Sequence, residues 1–204
     1  MERAAHWNKV YSTRGERDVS WFEALPQISL RLLEAAGLSA ETCVLDVGGG
    51  DSRLVDALAA RGLDCLAVLD VSGAALDRAR ARLGAKAGVP IWIESDVTGD
   101  WAIKPMDIWH DRAVFHFLTA PEDRGLYRQH LLGTLKPGGA AIIATFAPDG
   151  PETCSGLPVE RYSPERLRQE LGDAFELVES LPHLHVTPFG TTQSFQYSRL
   201  RRVH

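Results

Sequence analysis

Residues Val44 to Gly62 read VLDVGGGDSRLVDALAARG: an apolar run of strand length carrying Asp46, then Gly48, Gly49 and Gly50 in a row, then a segment with helical periodicity. A strand that closes on a carboxylate and turns through residues without side chains leaves backbone N–H groups and a helix N-terminus facing an open crevice. Glycine suits such a turn because a Cβ would obstruct close approach of the backbone to a ligand and would penalise positive φ. The pattern is that of a nucleotide-binding turn. Taken alone it does not say which nucleotide, since similar turns serve NAD and other ligands.

Outward from this turn, apolar runs of strand length alternate with helix-period segments, which is the sign of a parallel sheet covered on both faces. The strand candidates are Cys43 to Val47, Cys65 to Val71, Ile91 to Ser95, Met106 to Arg112 and Ala140 to Phe146. Ser72 can cap a helix from Gly73 to Leu83 that stops at Gly84. Thr119 and Pro121 open another that runs to about Leu135 before the turn KPGG, and Ser163 with Pro164 opens a third. The rhythm breaks at the end of the chain, where Phe175 to Leu181 and Thr192 to Leu200 are strand-like with only the loop PHLHVTPFG between them. They are expected to pair as an antiparallel hairpin. Upstream of the core, Glu2 to Leu38 reads as two helices. The fold class is α/β, a Rossmann-like, mostly parallel sheet of seven strands with helices on both faces and a C-terminal antiparallel hairpin.

A chain of 204 residues buries a core as one domain spanning 1–204. Its net charge of −5 gives no attraction to phosphate backbones or anionic bilayers, so nucleic acid and membrane are not expected partners. No apolar run fits a signal peptide or a membrane span, which predicts a cytoplasmic protein, monomer or homodimer. Cys43, Cys65 and Cys154 fit neither a disulfide framework nor a CxxC zinc pattern and read as reduced, mostly buried thiols. Cys154, His183 and His185 match no standard ligand spacing, so no metal is expected.

Two more carboxylates sharpen the reading. Asp70 ends the second strand roughly 20 residues beyond the glycines, where an acidic side chain can accept both hydroxyls of a ribose. Asp96 follows the third strand in WIESDVTGDW, where its carboxylate or the N–H of Val97 can meet an adenine edge.

With these in place the chain resembles the class I S-adenosylmethionine-dependent methyltransferases: DVGGGDS, VLDVS, ESDV and LKPGG stand in that family's order and spacing. HWNKVY (His6 to Tyr11), SWF (Ser20 to Phe22), the adjoining LPQISL and the tail QSFQY (Gln193 to Tyr197) narrow the likeness. They are similar to small bacterial members related to the protein-lysine methyltransferases of elongation factor and citrate synthase. Ser52 stands where many members keep a third glycine, and can cap the following helix instead.

The resemblance implies S-adenosylmethionine as cofactor. Asp46 would orient its methionine moiety, with Gly48, Gly49 and Gly50 contacting it through the backbone. Asp70 with Val71 would hold the ribose, and Asp96 with Val97 the adenine. Residues 1–38 would form a helical lid over the core of residues 39–204, with Trp7, Tyr11 and Trp21 presenting aromatic faces to the sulfonium and the acceptor. Class I members place residues that border both cofactor and acceptor at the end of the fourth strand, here WHDRAVFHFL. Asp111 and His116, then His110, are the candidates for catalysis, and a base is needed only for an acceptor that is protonated at neutral pH.

Two other readings stay open. A non-catalytic methyltransferase-like binding protein would have the same fold but usually loses the glycines or acidic residues, which are intact here. An NAD-dependent oxidoreductase would need a GxGxxG turn, where this chain has GGGDS, and in its short-chain form a Tyr-xxx-Lys pair, where Tyr127 is followed by Leu131 and Tyr11 by Gly15. The acceptor is expected to be a small molecule or a protein lysine.

Overall fold

The computed structural model describes residues 2–204. Its centre is one sheet of seven strands in the order β3-β2-β1-β4-β5-β9-β8. The strands are β1 (Val44–Val47), β2 (Leu66–Asp70), β3 (Ile91–Glu94), β4 (Met106–Arg112), β5 (Leu135–Phe146), β8 (Phe175–Val186) and β9 (Thr192–Arg202). Strands β1 to β5 run parallel, and β9 and β8 are antiparallel. A small hairpin of β6 (Thr153–Cys154) and β7 (Leu157–Pro158) stands apart. The strand order reverses at β1 and β4, so a crevice opens beyond their carboxyl ends, where ligands bind in sheets of this kind.

Side-chain alternation sorts the core into two layers. Val44, Val68, Ile108, Ile142 and Phe146 pack with α2 (Gln27–Ala35), α3 (Leu54–Ala60) and α4 (Gly73–Leu83). Leu45, Val47, Leu69, Trp109 and Ile143 pack against α5 (Pro121–Thr134) and α6 (Pro164–Leu171) on the other face. Two serine caps form as expected, whereas α3 and α5 start from Arg53 and Ala120 with no side-chain cap. Ser72 Oγ accepts from Ala75 N–H and Ser163 Oγ from Arg166 N–H, while Gly84 ends α4 at a φ of 55°. The remaining helix, α1 (Glu2–Thr13), lies upstream of the sheet in sequence.

Three expectations change. The segment PHLHVTPFG is mostly strand rather than loop: β8 continues through Val186, pairing His183 with Phe195 and His185 with Gln193, and only residues 187–191 turn. Pro182 made that run look broken, but β8 is an edge strand, where a missing N–H is tolerated. The KPGG turn lies inside β5, as an irregularity between pairings at Leu135 and Ala140.

The third change concerns the thiols. Cys43 and Cys65 form a disulfide, with Cα atoms 4.6 Å apart. Each directly precedes a strand, and β1 and β2 pair in the register Val44↔Leu66, so the cysteines fall on the next rung. Parallel pairing brings together two residues that their spacing along the chain left unrelated. Cys154 is free and buried.

Candidate active site

Register builds the floor of the cleft. Asp46 on β1 lies opposite His110 on β4, and Nδ1–H of His110 donates to Asp46 Oδ1 at 2.7 Å while Nε2 accepts from Ser29 Oγ at 2.9 Å. The carboxylate fixes that tautomer. Asp46 Oδ2 is buried without a partner, which leaves an acceptor at the cleft floor for a ligand donor. The glycine turn follows. A Cβ on Gly48 (φ 65°) would strike Val114 at 1.9 Å, and one on Gly50 (φ 33°) would stand 2.5 Å from Asp70 Oδ2. A side chain at Gly50 would therefore press on Asp70, and one at Gly49 on Asp46, whose Oδ2 would stand 2.6 Å from its Cβ.

Asp70 is 6% exposed and accepts from the Ser72 N–H at 2.8 Å. Burial, with the nearby Asp46 adding to it, pushes its pKa up to about 7 against the pull of the Ser72, Val71 and Gly50 N–H groups. Such a carboxyl is poised to become a full acceptor when hydroxyl donors arrive. Asp96 is held from two sides: the Thr98 N–H donates to it at 2.9 Å and Arg3 at 3.2 Å. Of the two adenine contacts foreseen at this point, the carboxylate is already engaged, and Val97 lines the cleft beside it.

The N-terminal segment covers the cleft because polar side chains tie it to the core. Arg3 bridges Asp96 and Asp123. Asn8 Oδ1 accepts from Ser72 Oγ at 2.8 Å and from Ala74 N–H at 3.2 Å, so it binds α1 to the first turn of α4. Arg53 NH2 reaches Glu16 at 2.7 Å. Trp7 then meets Trp21, Phe117 and Tyr11 with ring centroids 5.6, 5.3 and 6.2 Å away. Trp7, Tyr11, Trp21 and Phe117 all line the cleft. Burial raises the Tyr11 hydroxyl well above the usual tyrosine range, with Asp70 adding to it, so this hydroxyl stays neutral.

The opposite wall holds two groups that the sequence did not single out, Glu23 and Arg112. Glu23, in the segment before α2, faces Arg112 NH2 at 3.2 Å, His185 Nδ1 at 3.5 Å and His183 Nε2 at 4.0 Å. Burial would raise the Glu23 carboxyl, but the His185 contact and the charge of Arg112 hold it below its ordinary value. Arg112 also donates to Tyr197 Oη at 3.0 Å and to the Trp21 carbonyl at 2.9 Å. Its NH2, close enough to Glu23 for an ion pair, makes no hydrogen bond. Gln193 Oε1 is likewise unpartnered, and Gln193, Cys154, Phe146 and Phe195 complete this wall. Burial pushes the Cys154 thiol up to about 11, partly opposed by Arg112, so it stays protonated and weakly nucleophilic. The signal for Glu23 was its place directly after SWF, the tryptophan of which reaches the cleft.

Two of the three catalytic candidates are turned away from the cleft. Asp111 is paired in register with Val47, one residue out of phase with His110, and so points to the α5 face. It accepts there from Val114 N–H, Phe115 N–H and Tyr127 Oη at 2.8, 3.1 and 2.7 Å. Nor does it pair with Arg112, which points to the cleft. His116 is fully buried and its Nδ1 accepts from the Phe146 N–H at 3.3 Å. Burial pushes its pKa down to about 3, with Arg112 adding to the effect. Its neighbour Phe117 has the place on the cleft wall. His110 alone of the three lines the cleft.

Residues 45–143 match the methyltransferase-domain family. The chain is 27% identical over 85% of its length to the EEF1A lysine methyltransferase 2 of Danio rerio, covering 72% of that protein. It is 32% identical over 56% of its length to an uncharacterized methyltransferase of Mycobacterium tuberculosis, and spans 56% of that relative's length. In fold it is similar to the N-methyltransferase NodS from Bradyrhizobium japonicum in complex with S-adenosyl-L-homocysteine, with a TM-score of 0.73 at 16% identity, covering 97% of this chain and 98% of that one. The glycine turn between paired carboxylates, the reversal of strand order above it and the terminal antiparallel strands agree with these likenesses, which together support a class I S-adenosylmethionine-dependent methyltransferase.

Proposed function

We propose that the enzyme transfers a methyl group to a small-molecule acceptor held between the aromatic lid and the wall of Arg112, Glu23 and Gln193. The observation that carries this reading is the cover over the cleft. Trp7, Tyr11 and Trp21 pack on one another above the glycine turn, so the acceptor side is closed by rings rather than left as a groove for a folded partner. The unpartnered Gln193 Oε1 offers an acceptor to a polar group of the substrate, and Arg112 Nη2, ion-paired with Glu23 but without a hydrogen bond, offers a donor.

When bound, S-adenosylmethionine supplies a methyl group on a sulfonium, whose departure as a neutral thioether needs no acid. The chain has the groups to align and desolvate the reactants. Asp70 would accept from the ribose hydroxyls, and Asp46 Oδ2 from the donors of the methionine end, with His110 holding that carboxylate in place. Val71 would border the ribose beside Asp70, and Asp96 and Val97 the adenine. The lid excludes water and turns ring faces towards a cation. Alignment of this kind supplies roughly 7–11 kcal/mol of the barrier. Asp111 and His116 are proposed as structural groups that shape the end of β4.

A protein lysine is the second reading, favoured by the name of the zebrafish relative. The test is transfer of a labelled methyl group in cell lysate split into low-mass and protein fractions. Label appearing only in the low-mass fraction supports the proposal. Label on a discrete protein band, lost with Asp70→Ala, would replace it with the lysine reading.

A further inference from the structure

We propose that Glu23, His183 and His185 form a binding site for a divalent transition-metal cation of the zinc class at the acceptor edge of the cleft. Among the described residues this is the one group of three metal-ligating side chains whose ligand atoms converge, all within 4.8 Å of one another. It is composed across the fold. His183 and His185 alternate along β8 and share a face, and the carboxylate comes from the segment before α2.

Orientation argues for a ligand set rather than a chance cluster. His185 Nε2–H donates to the Ser20 carbonyl at 2.8 Å, which turns Nδ1 towards Glu23 Oε1 at 3.5 Å. A backbone carbonyl on the far ring nitrogen is the usual way a protein aims a ligating imidazole. A proton on Nδ1 bridges that gap when no metal is bound, and a zinc-class cation takes its place on binding. Tetrahedral coordination at 2.0–2.1 Å places ligand atoms about 3.4 Å apart, so the His185–Glu23 separation already fits. His183, at 4.0 Å from the same oxygen and with 29% of its side chain exposed, has room to close in. Two imidazoles and one carboxylate suit zinc, cobalt or nickel rather than magnesium or calcium, and three protein ligands leave a position open to solvent or to a heteroatom of the acceptor.

Arg112 opposes the ion, since it stands 3.2 Å from the same Glu23 oxygen. Its guanidinium is also tied to Tyr197 and to the Trp21 carbonyl, so it keeps partners of its own when an ion draws the carboxylate towards the histidines. The site shares no ligand with Asp46, Asp70 or Asp96, and its occupancy is therefore measurable apart from cofactor binding.

The test uses the full chain without an affinity tag, stripped with chelator, and titrated calorimetrically with zinc and spectroscopically with cobalt. S-adenosylhomocysteine is titrated into the same samples as a check of fold. We expect one zinc per chain and the visible bands of tetrahedral cobalt. His183→Ala and Glu23→Gln should each weaken zinc by at least about tenfold, while His204→Ala leaves it unchanged and His183→Ala leaves S-adenosylhomocysteine binding intact. Absence of saturable zinc binding, or equal binding by wild type, His183→Ala and Glu23→Gln, overturns the site. Zinc binding that depends on these residues in a chain that ignores S-adenosylhomocysteine would leave the metal site standing and count against the cofactor assignments instead.

Discussion

At the residue scale, a shift of one position along β4 separates cleft from core. His110 points to Asp46 and the cleft, while Asp111 points to Tyr127 on the opposite face. Asp111→Ala would strand two backbone N–H groups and a tyrosine hydroxyl, each worth about 1–3 kcal/mol when buried unpaired. Denaturant unfolding should show a loss of several kcal/mol, with S-adenosylhomocysteine affinity kept in the molecules that remain folded. Asp70 makes the opposite kind of prediction. Its folded pKa, about 7, lies above the ordinary 3.8, so its contribution to stability is fully present below 3.8 and is lost as pH rises through 7. Without cofactor, wild type should therefore lose stability relative to Asp70→Asn between pH 4 and 7, as read by melting temperature. Ribose hydroxyls donate to the ionised form, so S-adenosylhomocysteine affinity should fall as pH drops below about 7. A flat affinity between pH 8 and 5.5 would contradict the assignment of Asp70.

At the scale of elements, the lid holds by a few polar anchors rather than by a broad apolar face: α1 buries only Val10 and Tyr11. Asn8 is the anchor with two partners at the start of α4, and Asn8→Ala should cost about 1 kcal/mol that falls on lid closure. Limited proteolysis should then cut faster in residues 14–25, and S-adenosylhomocysteine should restore protection; an unchanged cutting rate would refute the anchoring role. The elements that read well from sequence are those with local signals, such as the caps at Ser72 and Ser163. The extension of β8 through His183 and His185 was hidden because Pro182 marks a break in isolation and only its place at the sheet edge makes it harmless. Glu23 was hidden for a related reason, since nothing near it in the chain announces Arg112, His183 or His185.

At the scale of the molecule, the parallel sheet, the crevice at the reversal of strand order and the three carboxylates bordering it were legible because each depends on residues close in sequence. The disulfide was not, because Cys43 and Cys65 meet only through strand register. It closes a loop of 22 residues' separation, for which chain entropy gives about 3 kcal/mol. Reduction should lower unfolding stability by about that amount, and thiol titration of the denatured, unreduced protein should find Cys154 alone reactive; three reactive thiols would show the bond to be absent. That count also bears on location. No helix among the described residues is long and apolar enough to cross a membrane, but reducing compartments keep thiols apart, so an intact Cys43–Cys65 bond in protein isolated under thiol-trapping conditions would argue against the cytoplasm. The central claim, that an adenosyl ligand is gripped between the glycine turn and Asp70, is tested most directly by calorimetric titration of S-adenosylhomocysteine into wild type and Asp70→Asn at pH 8. The account predicts one site in wild type and a loss of roughly 1.5–3 kcal/mol, about 10- to 150-fold, in the variant. Equal affinity in the two proteins, or no binding by wild type, would contradict it.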